Sequence, residues 1–354
     1  MKKNKIYIYS FATVLMAGLL FFASCKKNTV DPNPSTVPIK SIIDLLGSDA
    51  DFSILSNAIT KAGLTSTFAS GSFTVFAPNN AAFKAYGLDS VTVAKTDPAV
   101  LAGIIKYHII GTVMKTKDIP VGVNTSVATL GGNAFITNFV YGNLSDASPV
   151  TYGVALNGSR VNFADIIATN GVVHKVDAVN MPLASDLLTL VQGNPSFSLF
   201  LLALTKTGLT SVLSSAGPVT LFAPTNAAFA KYNIDAAKIN SAKSDTLSNL
   251  LNYHIINGRI FLPDVAPNFV ANDAKFKGSI GASVDSLPTL YTNHGIKETF
   301  GDNKFVLISE KEKLKPNPST VSSLGFIDLM NRPGLGATNG VIYQMDGILF
   351  PKQP

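Results

Sequence analysis

An internal repeat constrains the fold of this chain more than any other feature of its sequence. The segment Phe76–Phe83 returns with one substitution as Phe222–Phe229, 146 positions later. Further matched segments follow in the same order: Tyr107-His108 with Tyr253-His254, and Asn170–His174 with Asn339–Tyr343. The units of solenoid proteins are much shorter than this period, so the repeat predicts two copies of one folded domain.

The spacing of the last matched segment indicates where the copies differ in length. It is 169 positions instead of 146, so the second copy carries about two dozen extra residues. We place copy one at residues 39–182 and copy two at residues 183–354, with the boundary near Pro182 and the insertion near residues 310–337. Long loops are often functional, and we expect a binding surface specific to copy two near this insertion.

The N-terminal residues are typical of a bacterial export signal that ends in lipidation. Three lysines precede an apolar run from Phe11 to Phe22, and two small residues lead into Cys25, the only cysteine of the chain. This arrangement resembles a lipobox, in which the cysteine is acylated and becomes the mature N-terminus. We therefore predict a signal peptide over residues 1–24 and a lipid on Cys25, with an uncleaved anchor helix as the alternative.

Residues 25–38 are predicted to be a tether between the lipid and the first domain. The segment is polar and contains Pro32, Pro34 and Pro38, so it cannot pack a core. Each buried methylene of an acyl chain contributes roughly 0.8 kcal/mol to membrane binding, so several chains anchor a protein stably. Lipidation of Cys25 leaves no thiol for a disulfide, and the domains then depend on their apolar cores alone.

The positive charge of the chain is concentrated at its start. The formal net charge is +6, yet residues 1–27 hold five lysines and no acidic residue. Beyond Lys27 the chain has 23 basic and 22 acidic residues, which is close to neutral. Because nucleic-acid-binding domains carry a basic patch that neutralises phosphates, we predict no nucleic-acid partner.

Within each copy, helical periodicity comes first and strand patterns follow. Apolar residues recur at helical spacing over Phe52–Ala62 and stop at Gly63, and the pattern repeats in copy two. Strands are predicted at Phe73–Phe76 and Val219–Phe222, and Asn157-Gly158 suits the type I′ turn of a hairpin. Helices followed by strands predict an α+β fold with a largely antiparallel sheet in each copy.

Three motifs, each present twice, make the chain resemble the fasciclin domain family. In copy one they are Thr74–Phe83, Tyr107-His108 and Asn170–Asp177, and in copy two they are Thr220–Phe229, Tyr253-His254 and Asn339–Asp346. The resemblance implies two tandem wedges of β-strands with helices packed along one side. It also implies a role in adhesion or extracellular binding, without enzymatic activity.

The candidate site residues are the motif pairs Tyr107-His108 and Tyr253-His254, and two interpretations are open. In the structural interpretation, each histidine lies on the core-facing side of a helix near its C-terminus and bonds to a nearby carbonyl. In the functional interpretation, which the resemblance implies, each pair belongs to a partner-binding patch.

Copy two departs from copy one at a second motif histidine. Tyr343 stands where copy one has His174, so any role tied to that histidine is confined to copy one. The chain has four histidines, none of which forms a pair at metal-ligand spacing, and it has no glycine-rich phosphate loop. We therefore predict no catalytic residue, no metal and no cofactor.

These observations together predict a non-enzymatic lipoprotein of the cell envelope, held in the outer membrane on its periplasmic or its outer face. Its expected function is adhesion or the binding of an extracellular protein or matrix partner through two fasciclin-like domains. The alternative is an accessory glycan- or peptide-binding lipoprotein in an outer-membrane nutrient-uptake complex. Lys26, Lys27 and Asn28 after the lipobox resemble the start of lipoproteins from a group of bacteria in which such complexes are common.

Overall fold

The computed structural model describes residues 39–141, 151–261, 287–288, 295–301, 304–308, 326–327 and 335–350. The predicted signal peptide, Cys25 and the tether lie outside the described residues, and so does most of the predicted insertion. The described residues from Lys40 onward belong to one compact unit. No helix in the described ranges is long and apolar enough to cross a membrane.

Each copy has short helices on both sides of its first strand. In copy one the helices are α1 (Ile42–Ser48), α2 (Ser53–Lys61), α3 (Asn80–Ala85), α4 (Ser90–Lys95) and α5 (Pro98–Tyr107). In copy two they are α6 (Leu187–Gln192), α7 (Ser198–Thr207), α8 (Thr210–Ser214), α9 (Asn226–Lys231), α10 (Ala236–Ser241) and α11 (Ser244–Asn252).

Polar side chains cap the N-termini of several of these helices. Asn79 and Thr225 accept the backbone N–H groups of Ala82 and Ala228 at the starts of α3 and α9. Such a cap satisfies an amide that has no partner within the helix, and it contributes about 1 kcal/mol. Asp97 caps α5 in the same way, with a proline as its first helical residue.

Copy one contains a sheet whose strand order is β2-β1-β7-β6-β5-β4-β3. Its strands are β1 (Phe73–Pro78), β2 (Ile109–Ile110), β3 (Gly122–Thr129), β4 (Gly132–Tyr141), β5 (Thr151–Leu156), β6 (Ser159–Ala168) and β7 (Gly171–Val176). The predicted hairpin joins β5 to β6. Asn157 and Gly158 adopt φ values of 46° and 80° in its turn, as a type I′ turn requires.

Copy two repeats one end of this sheet, because its order β9-β8-β15-β14 corresponds to β2-β1-β7-β6. Its strands are β8 (Val219–Pro224), β9 (Ile255–Asn257), β14 (Leu335–Ala337) and β15 (Gly340–Met345). Four further strands form a second sheet in the order β10-β11-β12-β13: β10 (Leu287–Pro288), β11 (Gly295–Gly301), β12 (Lys304–Ile308) and β13 (Phe326–Ile327).

The predicted α+β class with mainly antiparallel sheets is confirmed, with one addition in each copy. Strand β1 pairs in parallel with β7, from Phe73 opposite Gly171 to Pro78 opposite Val176. Strand β8 pairs in parallel with β15 in the corresponding register. The last motif of each copy therefore lies beside the first, and the two strands form the centre of the domain.

Both faces of the central strands are buried because each copy has two apolar clusters. Val75 and Ala77 of β1 pack in the cluster that holds the helices, whereas Phe76 faces a second cluster with Tyr107. In copy two, Leu221 and Ala223 of β8 lie on the helix side and Phe222 lies on the other side. All six residues of β1 and of β8 are buried, and the helices cover one face of the sheet as the wedge fold requires.

The glycine that opens β7 is fixed by close packing against β1. A Cβ built on Gly171 would lie 2.0 Å from the backbone oxygen of Phe73, and φ at Gly171 is +148°. Gly340 is under the same steric constraint in copy two, where an added Cβ would lie 2.1 Å from the backbone oxygen of Val219. Only glycine permits the strands to approach this closely.

We predict that Gly171→Ala lowers the free energy of unfolding by about 3 kcal/mol or more, because β7 must move away from β1. Gly103→Ala is the matched control. Gly103 lies inside α5, and a Cβ added to it would meet nothing within 4 Å. Alanine is more favourable than glycine in a helix by about 1 kcal/mol. Urea denaturation of both variants checks this, and equal effects of the two substitutions would contradict it.

Candidate functional site

The motif histidine of copy one bridges the end of a helix and the segment that leaves the domain. His108 directly follows α5 and is 2% exposed. Its Nδ1 lies 2.9 Å from the carbonyl oxygen of Ile104, and its Nε2 accepts the backbone N–H of Asn180 at 3.0 Å. Because Nε2 accepts, Nδ1 carries the proton and donates it to Ile104. Burial lowers the pKa of His108 to about 4, so the ring is neutral at neutral pH.

The motif histidine of copy two makes the same two contacts. The Nδ1 of His254 lies 2.9 Å from the carbonyl oxygen of Leu250, and its Nε2 accepts the N–H of Leu349 at 3.0 Å. The His254 ring is also buried, and burial lowers its pKa to about 4. Each ring therefore satisfies one carbonyl at a helix end and one buried amide near the end of the copy.

The motif tyrosine of copy one belongs to a buried hydrogen-bond network. The Tyr107 hydroxyl donates to the carbonyl oxygen of Asn133 at 2.9 Å and accepts from the side-chain amide of Asn157 at 2.9 Å. The side-chain oxygen of Asn157 accepts the backbone N–H of Phe135 at 2.7 Å. Burial raises the pKa of the Tyr107 phenol. The network ties α5 to β4 and to the hairpin turn.

The structure places all four candidate site residues in the interior. Tyr107 and His108 in copy one, and Tyr253 and His254 in copy two, are each at most 2% exposed. Tyr253 packs with Phe222 in the sheet-side cluster of copy two. The functional interpretation needs side chains that a partner can touch, and these four are covered in this conformation.

His174 and Tyr343 are different residue types, but each bonds to the backbone carbonyl at the equivalent position of its own copy. The Nε2 of His174 lies 2.9 Å from the oxygen of Met114, and the Tyr343 hydroxyl donates to the oxygen of Ile260 at 3.1 Å. Met114 and Ile260 are 146 positions apart, as the first two motifs are, so they are equivalent residues of the two copies. The rings also pack against matched phenylalanines: His174 is tilted against Phe76, and Tyr343 stacks on Phe222. The substitution of histidine by tyrosine therefore keeps a buried donor in place.

A polar cluster in copy one surrounds the second nitrogen of His174. Its Nδ1 accepts the N–H of Asp165, which has a φ of 57° at an irregular point of β6. The Asp165 carboxylate accepts the N–H and the hydroxyl of Thr116 at 2.9 Å and 2.6 Å. Burial lowers the pKa of His174, with Asp165 opposing that shift. Both nitrogens of the His174 ring are hydrogen-bonded. His174 and Asp165 together fix Met114 and Thr116, which lie in the loop before β3.

Asparagines of the Phe-Ala-Pro motif have a structural role that the sequence reasoning missed. The side-chain oxygen of Asn80 accepts the N–H of Ile54 at 2.9 Å, and its amide donates to the carbonyl of Ala50 at 2.8 Å. Asn226 makes the equivalent contacts in copy two, with Leu199 and Pro195. Each asparagine satisfies an amide in the first turn of a helix, α2 in copy one and α7 in copy two. Its repetition at the same motif position was the available signal.

The asparagine that precedes the first glycine of the last motif, Gly171 or Gly340, has a comparable role. Asn170 accepts the N–H of Ile42 at 2.9 Å and donates to the carbonyl of Phe68 at 2.7 Å. Asn339 accepts the N–H of Leu187 at 2.9 Å and donates to Leu213. The first helix of each copy is thus tied to the turn before its last strand.

Surface side chains of copy one offer a different kind of candidate site. Phe163 of β6 is 64% exposed, the highest value among the large apolar side chains whose exposure the structure describes. The register of β6 against β7 shifts on both sides of Phe163, and such bulges turn side chains outward. No group of three or more His, Cys, Asp or Glu residues in the described ranges could hold a metal ion.

Comparison with known proteins gives matches over both copies. The fasciclin domain family model matches residues 50–182 and 195–351. The chain is similar to transforming growth factor-beta-induced protein ig-h3 of Sus scrofa, with 35% identity over 153 residues, 42% of this chain and 20% of that protein. It is similar to periostin of Homo sapiens, with 30% identity over 190 residues, 53% of this chain and 21% of that protein. The chain spans about a fifth of the length of these two relatives.

A solved structure also matches most of the chain. It is the FAS1 domain pair from the insect cell adhesion molecule Fasciclin I. The match covers 87% of this chain and 95% of that chain, with 20% sequence identity and a TM-score of 0.38.

We predict that stability falls as the pH drops from about 6.5 towards 4, because His108 and His254 titrate near 4 when folded and near 6.5 when unfolded. Below 6.5 the unfolded chain binds protons that the folded chain excludes. The stabilisation is complete above pH 6.5 and is lost as the pH approaches 4, by on the order of 3 kcal/mol per histidine.

Urea unfolding across this pH range measures the loss of stability. His108→Gln removes one of the two matched titrating groups, so the pH dependence of the unfolding free energy should become shallower. His254→Gln should reduce it by a similar amount. A variant whose free energy depends on pH as steeply as that of the unmodified protein would contradict the assignment.

Proposed function

Because the chain belongs to the fasciclin domain family, we propose that it is a non-enzymatic envelope lipoprotein that mediates adhesion to protein or matrix partners. The observation that carries the proposal is the double family match, over residues 50–182 and 195–351. Two binding domains on one chain gain affinity when both can engage at once, which favours attachment to an extended partner.

The proposed anchor is a lipid on Cys25. The sequence supports it by three lysines, an apolar run and two small residues before the only cysteine. The polar, proline-containing residues 26–38 would then hold the domains away from the bilayer. The proposed location is the outer membrane, on its periplasmic or its outer face.

The proposed contact surface is outside the motif residues. Tyr107, His108 and their counterparts are buried and hydrogen-bonded, so they support a scaffold function. Phe163 is exposed on β6, opposite Lys175 of β7. Aromatic residues are enriched among the few side chains that carry most of the binding energy at protein interfaces. We therefore assign Phe163 as a contact residue of copy one.

We predict that Phe163→Ser weakens binding to immobilised extracellular matrix proteins by about tenfold or more without lowering thermal stability. Val100→Ser is the matched control, since Val100 is a half-exposed apolar residue of the same copy on α5. Equal binding by the two variants would remove Phe163 from the contact surface. Reproducible binding on a glycan array, or copurification with a membrane transporter, would favour the nutrient-uptake function instead.

We predict that Cys25→Ser abolishes the incorporation of labelled palmitate into the protein, because Cys25 carries the only thiol of the chain that can be acylated. Protease shaving of intact cells, followed by immunoblotting, then identifies the face of the membrane. Digestion of the unmodified protein is the result expected for adhesion between cells. Complete protection would exclude adhesion between cells, and a Cys25→Ser variant that still incorporates palmitate would contradict the lipid on Cys25.

A further inference from the structure

The segment after β9 in copy two is buried, whereas its counterpart in copy one is exposed. Arg259 and Phe261 are 9% and 1% exposed. Their counterparts 146 positions earlier are Val113, which is 46% exposed, and Lys115, which is also exposed. The two segments are fixed to their own domains alike, because Thr74 binds the N–H of Met114 and Thr220 binds the N–H of Ile260. Something beyond the shared fold must cover the segment in copy two.

Copy one provides that cover through the outer face of β4. The guanidinium carbon of Arg259 lies 4.2 Å from the centre of the Phe135 ring. The side-chain amide of Asn124, in β3, donates to the backbone oxygen of Arg259 at 2.5 Å. Phe135 also packs against the apolar cluster of copy two. The negative face of an aromatic ring attracts a guanidinium, and the attraction is stronger where the contact is desolvated.

The ring of Phe261 completes the contact at the hairpin turn of copy one. Its centre lies 6.4 Å from that of Phe135. A Cβ added to Gly158 would lie 2.9 Å from the Cβ of Phe261. The absence of a side chain at this glycine therefore leaves the space that Phe261 occupies. The Asn157-Gly158 turn thus serves the fold of copy one and also receives a side chain from copy two.

The same arginine is anchored firmly within its own domain. Its guanidinium donates to the carbonyl oxygens of Ala337 at 2.8 Å and Thr338 at 3.0 Å, and also to that of Gly340. These residues form the β14–β15 turn. The planar fork of arginine has enough donors to bind this turn while its face covers Phe135, which the point charge of a lysine could not do.

We propose that Arg259 and Phe261 form an interdomain clamp that docks copy two on the Phe135 face of copy one and holds the two domains in one orientation. The clamp is defined as Arg259 and Phe261 with their receptors Asn124, Phe135 and Gly158. Without such an interface, tandem domains move relative to one another. With it, the two domains present any binding surfaces at one fixed separation. This inference does not depend on the proposed adhesion function.

The distance between two spin labels tests the clamp in the full-length chain. Val91 and Ala237 are exposed helix residues at matched positions in the two copies, so V91C and A237C provide labelling sites. Cys25→Ser leaves these as the only thiols. Pulsed electron paramagnetic resonance should give one narrow distance distribution. The double substitution R259V/F261K, which introduces the residues of copy one, should broaden it about twofold or more.

Two further variants separate loss of the clamp from loss of folding. Phe135→Ala removes the receptor ring from copy one and should broaden the distribution while circular dichroism stays native. The reverse exchange in copy one, V113R/K115F, places the clamp residues at two exposed positions and should leave the distribution narrow. A broad distribution in the unmodified clamp, or a narrow one in both R259V/F261K and Phe135→Ala, would overturn the proposal.

Discussion

In each domain, a neutral, buried imidazole joins the end of a helix to the C-terminal segment by two hydrogen bonds to backbone groups. In copy one, His108 donates to a carbonyl in the last turn of α5 and accepts the N–H of Asn180, which is 3% exposed. A buried amide without a partner costs about 1–3 kcal/mol, so the acceptor cannot be removed without consequence. The ring thereby joins the end of α5 to the segment that follows β7, and β7 lies in parallel beside β1. His254 does the same through Leu349 in copy two.

The two copies share this scaffold and differ at its surface. Where copy one has His174, copy two has Tyr343, and both rings satisfy the carbonyl of the equivalent residue. The interior thus tolerates a change of residue type when the donor is kept. At the segment after the short second strand, Arg259 and Val113 differ in charge, size and burial. A duplicated domain can diverge there because the shared fold does not use the side chain.

Local features were predictable from the sequence, and contacts between distant segments were not. The caps at Asn79 and Thr225 and the turn at Asn157-Gly158 follow from rules that involve a few neighbouring residues. The parallel pairing of β1 with β7 joins residues about a hundred positions apart, and strand patterns alone do not specify a partner. The repeat did contain part of this information, because Asn80 and Asn170 recur at matched positions. The burial of Arg259 depends on contact between copies and had no signal in either copy alone.

Native-state hydrogen exchange of the Asn180 and Leu349 amides tests the structural role of the motif histidines most directly. Both amides lie outside helices and strands, where exchange is ordinarily fast. If His108 and His254 accept their hydrogen bonds, the two amides should exchange as slowly as those of β1 and β8, through global unfolding. Exchange at the rate of solvent-exposed loops would contradict this account and return the Tyr-His pairs to the list of candidate binding residues.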